Sequence, residues 1–424
     1  MQKNWIKNFD ELATTSNRKL ALTIAEAGLA AINTEIVVSN FIKLQNNVLS
    51  VAEKSFDLSK FKKIKVVGFG KASVDATVAL EKILGSRIEK GAVIGLEKVA
   101  TQYIETFSGA HPRPGKINIE AGEKIYEIIK DSSKEDLIIV LVSGGGSALL
   151  CFSESERAQN VTLYDNFLKS GKTITEINTV RKHLSILKGG GLAKIAYPAT
   201  VIGLIFSDIP GDNFESVASG PTYRDKTIIA DAEKIIAENN LGKFDLIETP
   251  KEDKYFENVH NFVLVSNKIA IEAMKKKAQE LGFQVKIVST ELYDEIAEAL
   301  QKIFKARNDD TVVLAAGEPK IEVQKKGGMG GRNLHLGLQA IKMKLIDDKS
   351  VFLSFASDGL DNSDAAGAVV DKNTIEKVER LNLNPADYLI RFDSYNFFQK
   401  SGDLIVTGPT GANVSDLMIL LTKK

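Results

Sequence analysis

The sequence predicts an α/β fold of two α/β domains, the N-terminal one a doubly wound, Rossmann-like sheet, and three observations predict it. Short runs that are apolar throughout recur along the chain, among them residues 137–142, 200–206 and 311–316. A run without polar alternation suits a strand covered on both faces, as in a parallel sheet between helices. These runs alternate with helical segments, the order of a doubly wound sheet. Nearly every run also ends in a turn rich in Gly, Ser or Asp, at the carboxyl end of the strand, where open α/β sheets hold their ligands. At 424 residues the chain exceeds one ordinary core. Residues 239–259 are polar, carry Pro250 and lack periodicity. The boundary is expected there, with domains over residues 1–245 and 255–424.

Composition narrows the function. Lysine plus arginine balance aspartate plus glutamate at 55 each, so no global field favours nucleic acid or an anionic membrane, and any anion site must be local. The single cysteine, Cys151, cannot form an internal disulfide, which suits a reducing compartment, and its expected role is a small buried apolar side chain. The first eight residues have no apolar core of a signal segment, and no apolar run approaches the ~20 residues that span a bilayer. A cytoplasmic protein is expected. Four histidines without a C-x-x-C or H-E-x-x-H arrangement give no basis for a structural zinc site.

Taken in order, residues 18–37 read as a packed helix without chemistry. Phe61-Lys-Lys-Ile-Lys-Val-Val-Gly68 is a strand, and Gly68-Phe-Gly-Lys-Ala-Ser73 turns into a helix over 72–84. A lysine at the mouth of a Gly-x-Gly turn can set its ammonium beside anionic oxygens held by backbone donors, which makes Lys71 the first catalytic candidate. The spacing is neither a Walker A loop nor a dinucleotide fingerprint. Residues 91–96 give the next strand. Ser108-Gly-Ala-His-Pro-Arg-Pro-Gly115 is a loop stiffened by two prolines, whose His111 and Arg113 face either a ligand or solvent, and a helix follows over 117–129. After the strand 137–142, Ser143-Gly-Gly-Gly-Ser147 leads into a helix; its glycines let backbone N–H groups converge on an anion, and equally make a plain tight turn.

A long helical region centred on residues 175–191 carries Ile177, Val180, Leu184 and Leu187 as its buried stripe. Asn178, Arg181 and Ser185 share another face, where Arg181 can grip a small carboxylate in bidentate fashion; a solvated charged face is the alternative. Gly189 to Gly191 end or kink the helix. The strand 200–206 delivers Ser207-Asp-Ile-Pro-Gly-Asp-Asn-Phe214, in which Asp208 and Asp212 suit magnesium or serve as turn formers.

Beyond the boundary, strands over 261–265, 284–289 and 311–316 alternate with helices. Lys325-Lys-Gly-Gly-Met-Gly-Gly-Arg-Asn333 is too costly in chain entropy for a plain connector, and Arg332 reads as a phosphate clamp opening the helix 335–346. The strand 350–355 delivers Asp358 and Asp361. The strand 403–406 delivers Thr407-Gly-Pro-Thr-Gly-Ala-Asn-Val414 before a final leucine-rich helix. Acidic and Gly/Thr-rich exits in both halves suit a cleft between two α/β domains holding a nucleotide and its metal.

The motifs Gly68-Phe-Gly-Lys-Ala-Ser73, Ser143-Gly-Gly-Gly-Ser-Ala-Leu149, Ile177-Asn-Thr-Val-Arg181, Ser207-Asp-Ile-Pro-Gly-Asp212, Ala218-Ser-Gly-Pro-Thr222, Gly317-Glu-Pro319, Gly330-Gly-Arg-Asn333, Ser357-Asp-Gly359, Asp364-Ala-Ala-Gly367 and Thr407-Gly-Pro-Thr-Gly-Ala-Asn413 together resemble the glycerate 2-kinase family, whose C-terminal part is called the MOFRL domain. The resemblance runs in order over nearly the whole chain. It implies ATP- and Mg2+-dependent transfer of the γ-phosphoryl group to the 2-hydroxyl of D-glycerate in the interdomain cleft, with Lys71 and Arg332 catalytic. With the residue readings above, it places substrate or nucleotide at Gly70, Ser143, Gly144, Gly145, Gly146, Ser147, Asn178, Arg181, Glu318, Asn333, Thr407, Gly408, Thr410, Gly411 and Asn413, and the metal at Asp208, Asp212 and Asp358. The partners expected are a small hydroxy acid and a nucleotide, with neither nucleic acid nor membrane, and a homodimer stays open.

Three departures bear on the acceptor. Leu334 and His335 stand where the family usually has Gln-Glu, Asn213 follows Asp212 where it often has a second aspartate, and Gly109-Ala-His-Pro112 carries one residue more than the family's Gly-His-Pro. Another small hydroxy acid is therefore an alternative acceptor. A hydroxypyruvate reductase would need a nicotinamide cofactor, for which no G-x-G-x-x-G with a later acidic residue is present. A ligand-binding protein without turnover is the remaining rival.

Overall fold

The computed structural model describes residues 4–170, 174–209, 213–322 and 327–424. The chain forms two compact units. One is Thr34–Val265; the other joins the residues up to Asn33 with Ser266–Lys424.

The first unit opens with a small antiparallel sheet of β1 (Ile42–Gln45), β2 (Val48–Val51) and β3 (Lys54–Asp57). Its main sheet contains β4 (Lys63–Phe69), β5 (Ile88–Gly95), β6 (Ile104–Ser108), β7 (Asp136–Ser143), β8 (Thr200–Phe206) and β9 (Val259–Val265) in the order β6-β5-β4-β7-β8-β9. All neighbours are parallel. The chain starts in the middle at β4, winds outward to β6, returns to β7 on the other side of β4 and winds outward again. The direction of winding thus reverses between β4 and β7, and the crevice at that reversal is where such sheets bind ligands. Every residue of β7 is buried, as its unbroken apolar run requires at the centre of a doubly covered sheet. Val67, Phe69, Ile138, Val140 and Val142 form one core with Ile125 and Ile129 of the helix Lys116–Ile129 and with Leu192.

The second unit contains β10 (Gln284–Leu292), β11 (Thr311–Gly317), β12 (Ser350–Ala356), β13 (Gly367–Val370), β14 (Leu404–Ile405) and β15 (Asp416–Thr422) in the order β10-β11-β15-β12-β13-β14. Only β10 and β11 run parallel; β15 is antiparallel to both β11 and β12. Consequently the carboxyl ends of β11 and β12 meet the start of β15, and both Gly317 and Ala356 stand in register with Asp416.

Four expectations are corrected. The leucine-rich segment after Thr407–Val414 is not a helix but the strand β15, buried at every position between two neighbours. An all-round apolar run of this length is compatible with either state, and the vacancy between β11 and β12 decides for the strand. The strand expected near residues 261–265 belongs to the first sheet, because β9 pairs along β8 from Val201–Val259 to Phe206–Val265. Residues 239–259 are accordingly no linker between domains: Ile247 N–H donates to His183 O at 2.8 Å, and Lys251 Nζ donates to Thr227 O at 2.5 Å, both within the first unit. Finally, the helix centred on Arg181 ends at Lys182, and a new helix, Gly191–Ala196, starts after the left-handed Gly189 and Gly190. Ser185 therefore does not continue the face of Asn178 and Arg181.

The N-terminal helix Ser16–Ile32 packs on the helix Asn267–Glu280 of the second unit. Its Arg18 is fully buried and bonds Asp371 through Nε and Nη2, both at 2.7 Å, and Asp403 through Nη1 at 2.8 Å. Among the described residues, no single helix is long and apolar enough to cross a membrane.

Candidate active site

At the winding reversal of the first sheet, the turns after β4 and β7 are bonded to each other. Lys71 N–H donates to Gly144 O at 2.9 Å, and Ala72 N–H donates to Ser143 Oγ at 3.0 Å, which also bonds Ser73 Oγ at 3.0 Å. Gly70 has φ +121, and any Cβ there would overlap the Ser143 hydroxyl and carbonyl, so only glycine lets the turns touch. A Cβ on Gly144 would run into the Asp208 carboxylate, which places that acid from the end of β8 against the glycine turn. The helix following the glycines is a single turn, Gly146–Leu149, so its dipole is small. Ser143 and Ser147, expected to face a ligand, hold the scaffold: Ser147 Oγ bonds Ser219 Oγ at 2.9 Å.

Three nitrogen-bearing side chains gather at this turn. Both His111 Nε2 and Lys71 Cγ lie 3.2 Å from where a Cβ on Gly145 would stand. The Lys71 side chain is exposed and has no ion-pair or hydrogen-bond partner among the described residues. Arg181 is 6% exposed, its Nε has no hydrogen-bond partner among the described residues, and its Nη1 reaches only Asn178 Oδ1 at 3.4 Å. Burial brings the Arg181 guanidinium down to about 10, so it is still charged at neutral pH. The His111 imidazole is brought down to about 4, first by loss of solvent around the ring and then by the charges of Lys71 and Arg181. A buried guanidinium with no carboxylate partner among the described residues is costly to keep. The alternative of a solvated charged helix face does not hold for Asn178 and Arg181, both of which are buried. Lys188, of the same segment, is fully buried as well, bonded to Glu156 at 2.5 Å and Leu150 O at 2.6 Å.

In the second unit, Arg332 opens the helix Arg332–Lys342 and bridges two carboxylates, donating from Nε to Asp416 at 2.9 Å and from Nη1 to Glu318 at 3.2 Å. Burial works against its charge, but Asp416 and Glu318 outweigh burial and raise its pKa further. Asp361 caps the same helix, accepting from the Asn333 and Leu334 N–H groups at 3.2 and 2.8 Å. Asn333, expected to meet a ligand, is wholly buried and spends its amide on Asp361, Asp416 and the Ser354 hydroxyl. Asp416 was not foreseen: it begins β15, hidden inside a segment read as a helix. Burial pushes its carboxyl up to about 7, against the pull of Arg332 and Asn333.

A cavity of about 490 Å³ opens at this sheet end, bordered by Arg332, Glu318, Asp358, Asp361, Asn413, Asp416 and the glycines 327, 328, 330 and 331. Its other wall is the His335 ring stacked on Phe392 at 5.6 Å, with Ile321 and Leu360. The Thr407 and Thr410 hydroxyls, expected at a ligand, turn into their own loop: Thr407 donates to Gly408 O at 2.7 Å and Thr410 to Ser357 O at 2.6 Å. That loop lies against Gly359, whose Cβ would overlap Gly408 O, and holds the Asp358 turn through Thr410 N–H to Asp358 O at 3.1 Å.

Of the metal candidates, Asp208 lies at the first sheet's crevice and Asp358 borders the second unit's cavity, while Asp212 lies outside the described residues. Among the described residues no group of three or more His, Cys, Asp and Glu side chains is arranged to hold a metal by itself.

Comparison with known proteins places this geometry. Residues 20–247 match a domain of unknown function, DUF4147, and residues 311–416 match the MOFRL family. The chain is 34% identical to a glycerate 2-kinase of Pyrococcus horikoshii, over 95% of this chain and 98% of that protein. It is also 34% identical to a protein of Agrobacterium vitis provisionally named a hydroxypyruvate reductase, over 84% of this chain and 86% of the relative. The crystal structure of a glycerate kinase from Thermotoga maritima superimposes with a TM-score of 0.83 at 32% identity, covering 95% of this chain and 99% of that one. The two-unit α/β architecture and the ordered motifs are thus shared along the full length, and the chain belongs to the glycerate 2-kinase family with its MOFRL domain.

Proposed function

We propose that the chain is a glycerate 2-kinase, transferring the γ-phosphoryl group of ATP to the 2-hydroxyl of D-glycerate. The observation that carries this reading beyond family membership is Arg181: a buried guanidinium with an unused Nε, beside Lys71 and His111 at the crevice of the first sheet. A small carboxylate is the ligand such a set of donors suits best. In this reading Arg181 holds the acceptor's carboxylate and Lys71 meets the negative charge of the transferring group. Phosphoryl transfer asks a protein mainly for positioning and charge neutralisation, which both groups supply.

The second unit's cavity has the volume of a ligand pocket, and its stacked His335–Phe392 wall and glycine-lined mouth fit a nucleotide. Arg332 would meet its phosphates. Four carboxylates, Glu318, Asp358, Asp361 and Asp416, border the cavity with the Arg332 guanidinium, and this excess of acidic groups fits a cation accompanying those phosphates. Mg2+ held at Asp208, Asp212 or Asp358, directly or through water, would neutralise phosphate charge. The remaining partners in this reading are small molecules in a reducing, cytoplasmic setting.

The deciding experiment is an ADP-release assay with D-glycerate and a panel of hydroxy acids, with the product examined by 31P NMR. Phosphorylation at the 2-position supports the reading. ADP release only with another acid moves the activity to that acid. NADH oxidation with hydroxypyruvate and no ADP release would overturn the kinase reading. Binding without either turnover would leave a ligand-binding protein.

A further inference from the structure

The His111 imidazole has no hydrogen-bond partner among the described residues, yet its loop is held with care. Asn118, fully buried in the helix Lys116–Ile129, accepts at Oδ1 from the N–H groups of Ala110 and Gly115, both at 2.9 Å. Its amide donates to Ala110 O at 3.1 Å, Ala148 O at 3.3 Å and Leu149 O at 3.2 Å. One side chain thus closes the loop on both sides of His111 and ties it to the turn that follows Gly145. On the outer side, Arg113 pairs with Asp165 at 2.6 Å and lies over the Tyr164 ring at 5.1 Å. The ring is thereby presented to the space above Gly145 that it shares with Lys71. A loop pinned from two directions to offer an unpartnered ring to an anion cradle is built for contact with the ligand.

We propose that His111 accepts the proton of the acceptor's hydroxyl during phosphoryl transfer. The proposal rests on the kinase reading above. With the carboxylate of a small 2-hydroxy acid on Arg181, the adjacent hydroxyl comes within reach of the imidazole beside Lys71. The O–H bond breaks and its proton passes to the ring nitrogen. The oxygen's electron pair forms the new bond to the γ-phosphorus, and the bond from that phosphorus to the bridging oxygen breaks, its pair leaving with the nucleoside diphosphate. The imidazolium then returns the proton to solvent, to which the residue is open.

The surrounding charges suit this cycle. Loss of solvent around the ring, with the nearby charges of Lys71 and Arg181, keeps it neutral in the free protein, ready to accept. Asp208 lies beyond Gly144, and Arg113 is already paired with Asp165. When a carboxylate and a phosphoryl group neutralise the two cations, the same ring becomes more basic. Ligand binding therefore prepares the base that the reaction uses.

The test compares wild type with His111→Asn and His111→Gln. Turnover should fall roughly 100-fold or more in both, in the range of a lost general base, while KM for the hydroxy acid changes less than about threefold. The acid limb of the kcat profile should disappear with it. Separately, the His111 ring titration followed by NMR should move upward when D-glycerate is added. Variants that keep turnover within about threefold and retain the acid limb would overturn the proposal while leaving the kinase reading standing. Wild type without phosphotransfer to any hydroxy acid overturns both. An unchanged wild-type backbone spectrum in each variant excludes a folding defect as the cause.

Discussion

Arg181 and Asp416 are two buried charged residues with opposite situations. Arg181 Nε has no hydrogen-bond partner among the described residues, whereas Asp416 is crowded by bonds and by other carboxylates. If Arg181 holds the acceptor, Arg181→Gln should raise KM for the hydroxy acid on the order of 100-fold, since a charge-assisted pair of hydrogen bonds contributes about 3 kcal/mol. KM for the nucleotide should stay within about twofold, and steady-state kinetics with each substrate varied in turn separates the two. Asp416 makes a prediction about pH. Its carboxyl, raised from 3.8 to about 7, binds its proton more tightly folded than unfolded. Its contribution is therefore intact below about 4, declines as pH rises and is fully lost above about 7. Asp416→Asn cannot ionise, so its melting temperature relative to wild type should climb across that window and stay level above it. A parallel pair of curves from pH 4 to pH 8 in scanning calorimetry would refute the assignment.

Elements place these residues through two contacts between turns. Gly70 and Gly144 both stand where a side chain has no room, yet for different reasons, and substitution should separate them. Gly70→Ala adds a Cβ against the backbone carbonyl and hydroxyl of Ser143 at φ +121, which neither neighbour can relieve. A loss of about 3 kcal/mol or more is expected in urea unfolding. The nearest atoms to a Cβ in Gly144→Ala belong to the Asp208 carboxylate, the end of a side chain rather than backbone. This variant should fold with a loss near 1 kcal/mol and lose activity through a displaced Asp208. Elements also explain what a linear reading misjudges. The segment Asp416–Thr422 is apolar without periodicity, and such a run becomes a strand only because β11 and β12 leave a place between them. The turn at the end of the helix Ile174–Lys182 releases Ser185 from the Arg181 face, while the stripe of Ile177, Val180, Leu184 and Leu187 stays buried across the break.

For the whole molecule, the unexpected feature is a unit made from the two ends of the chain. Arg18 carries the argument: three short bonds to Asp371 and Asp403 sit where water does not reach, and Lys377 adds a bond to Asp403 at 2.9 Å. Removing one partner of a buried pair strands the other charges, at about 3–5 kcal/mol. Arg18→Met should thus unfold the second unit at markedly lower denaturant concentration and leave the first unit's transition in place, as hydrogen exchange resolved by peptide would show. By the same reasoning, residues 34–265 produced alone should fold, with their own parallel sheet and core. Residues 266–424 should need the N-terminal helix supplied in trans before they show a cooperative melt.

The sequence by itself determined the α/β class, the positions of β4, β5, β7, β8, β11 and β12 and the turns that carry Lys71, Asp208, Arg332 and Asp358, because apolar runs and Gly or Asp exits are local signals. Only the tertiary structure decided that β9 closes the first sheet, that the N-terminal helix belongs with the C-terminal unit and that the last apolar run is a strand, since strand pairing and charge burial join residues distant in the chain. It also showed which polar side chains are spent on the scaffold. Ser143, Asn333 and Thr410 look like ligand residues in sequence, but their polar atoms are taken by neighbours, whereas among the described residues the His111 ring and the Arg181 Nε have no partner. Which donors are already satisfied is a property of three-dimensional contacts, and no spacing along a chain encodes it.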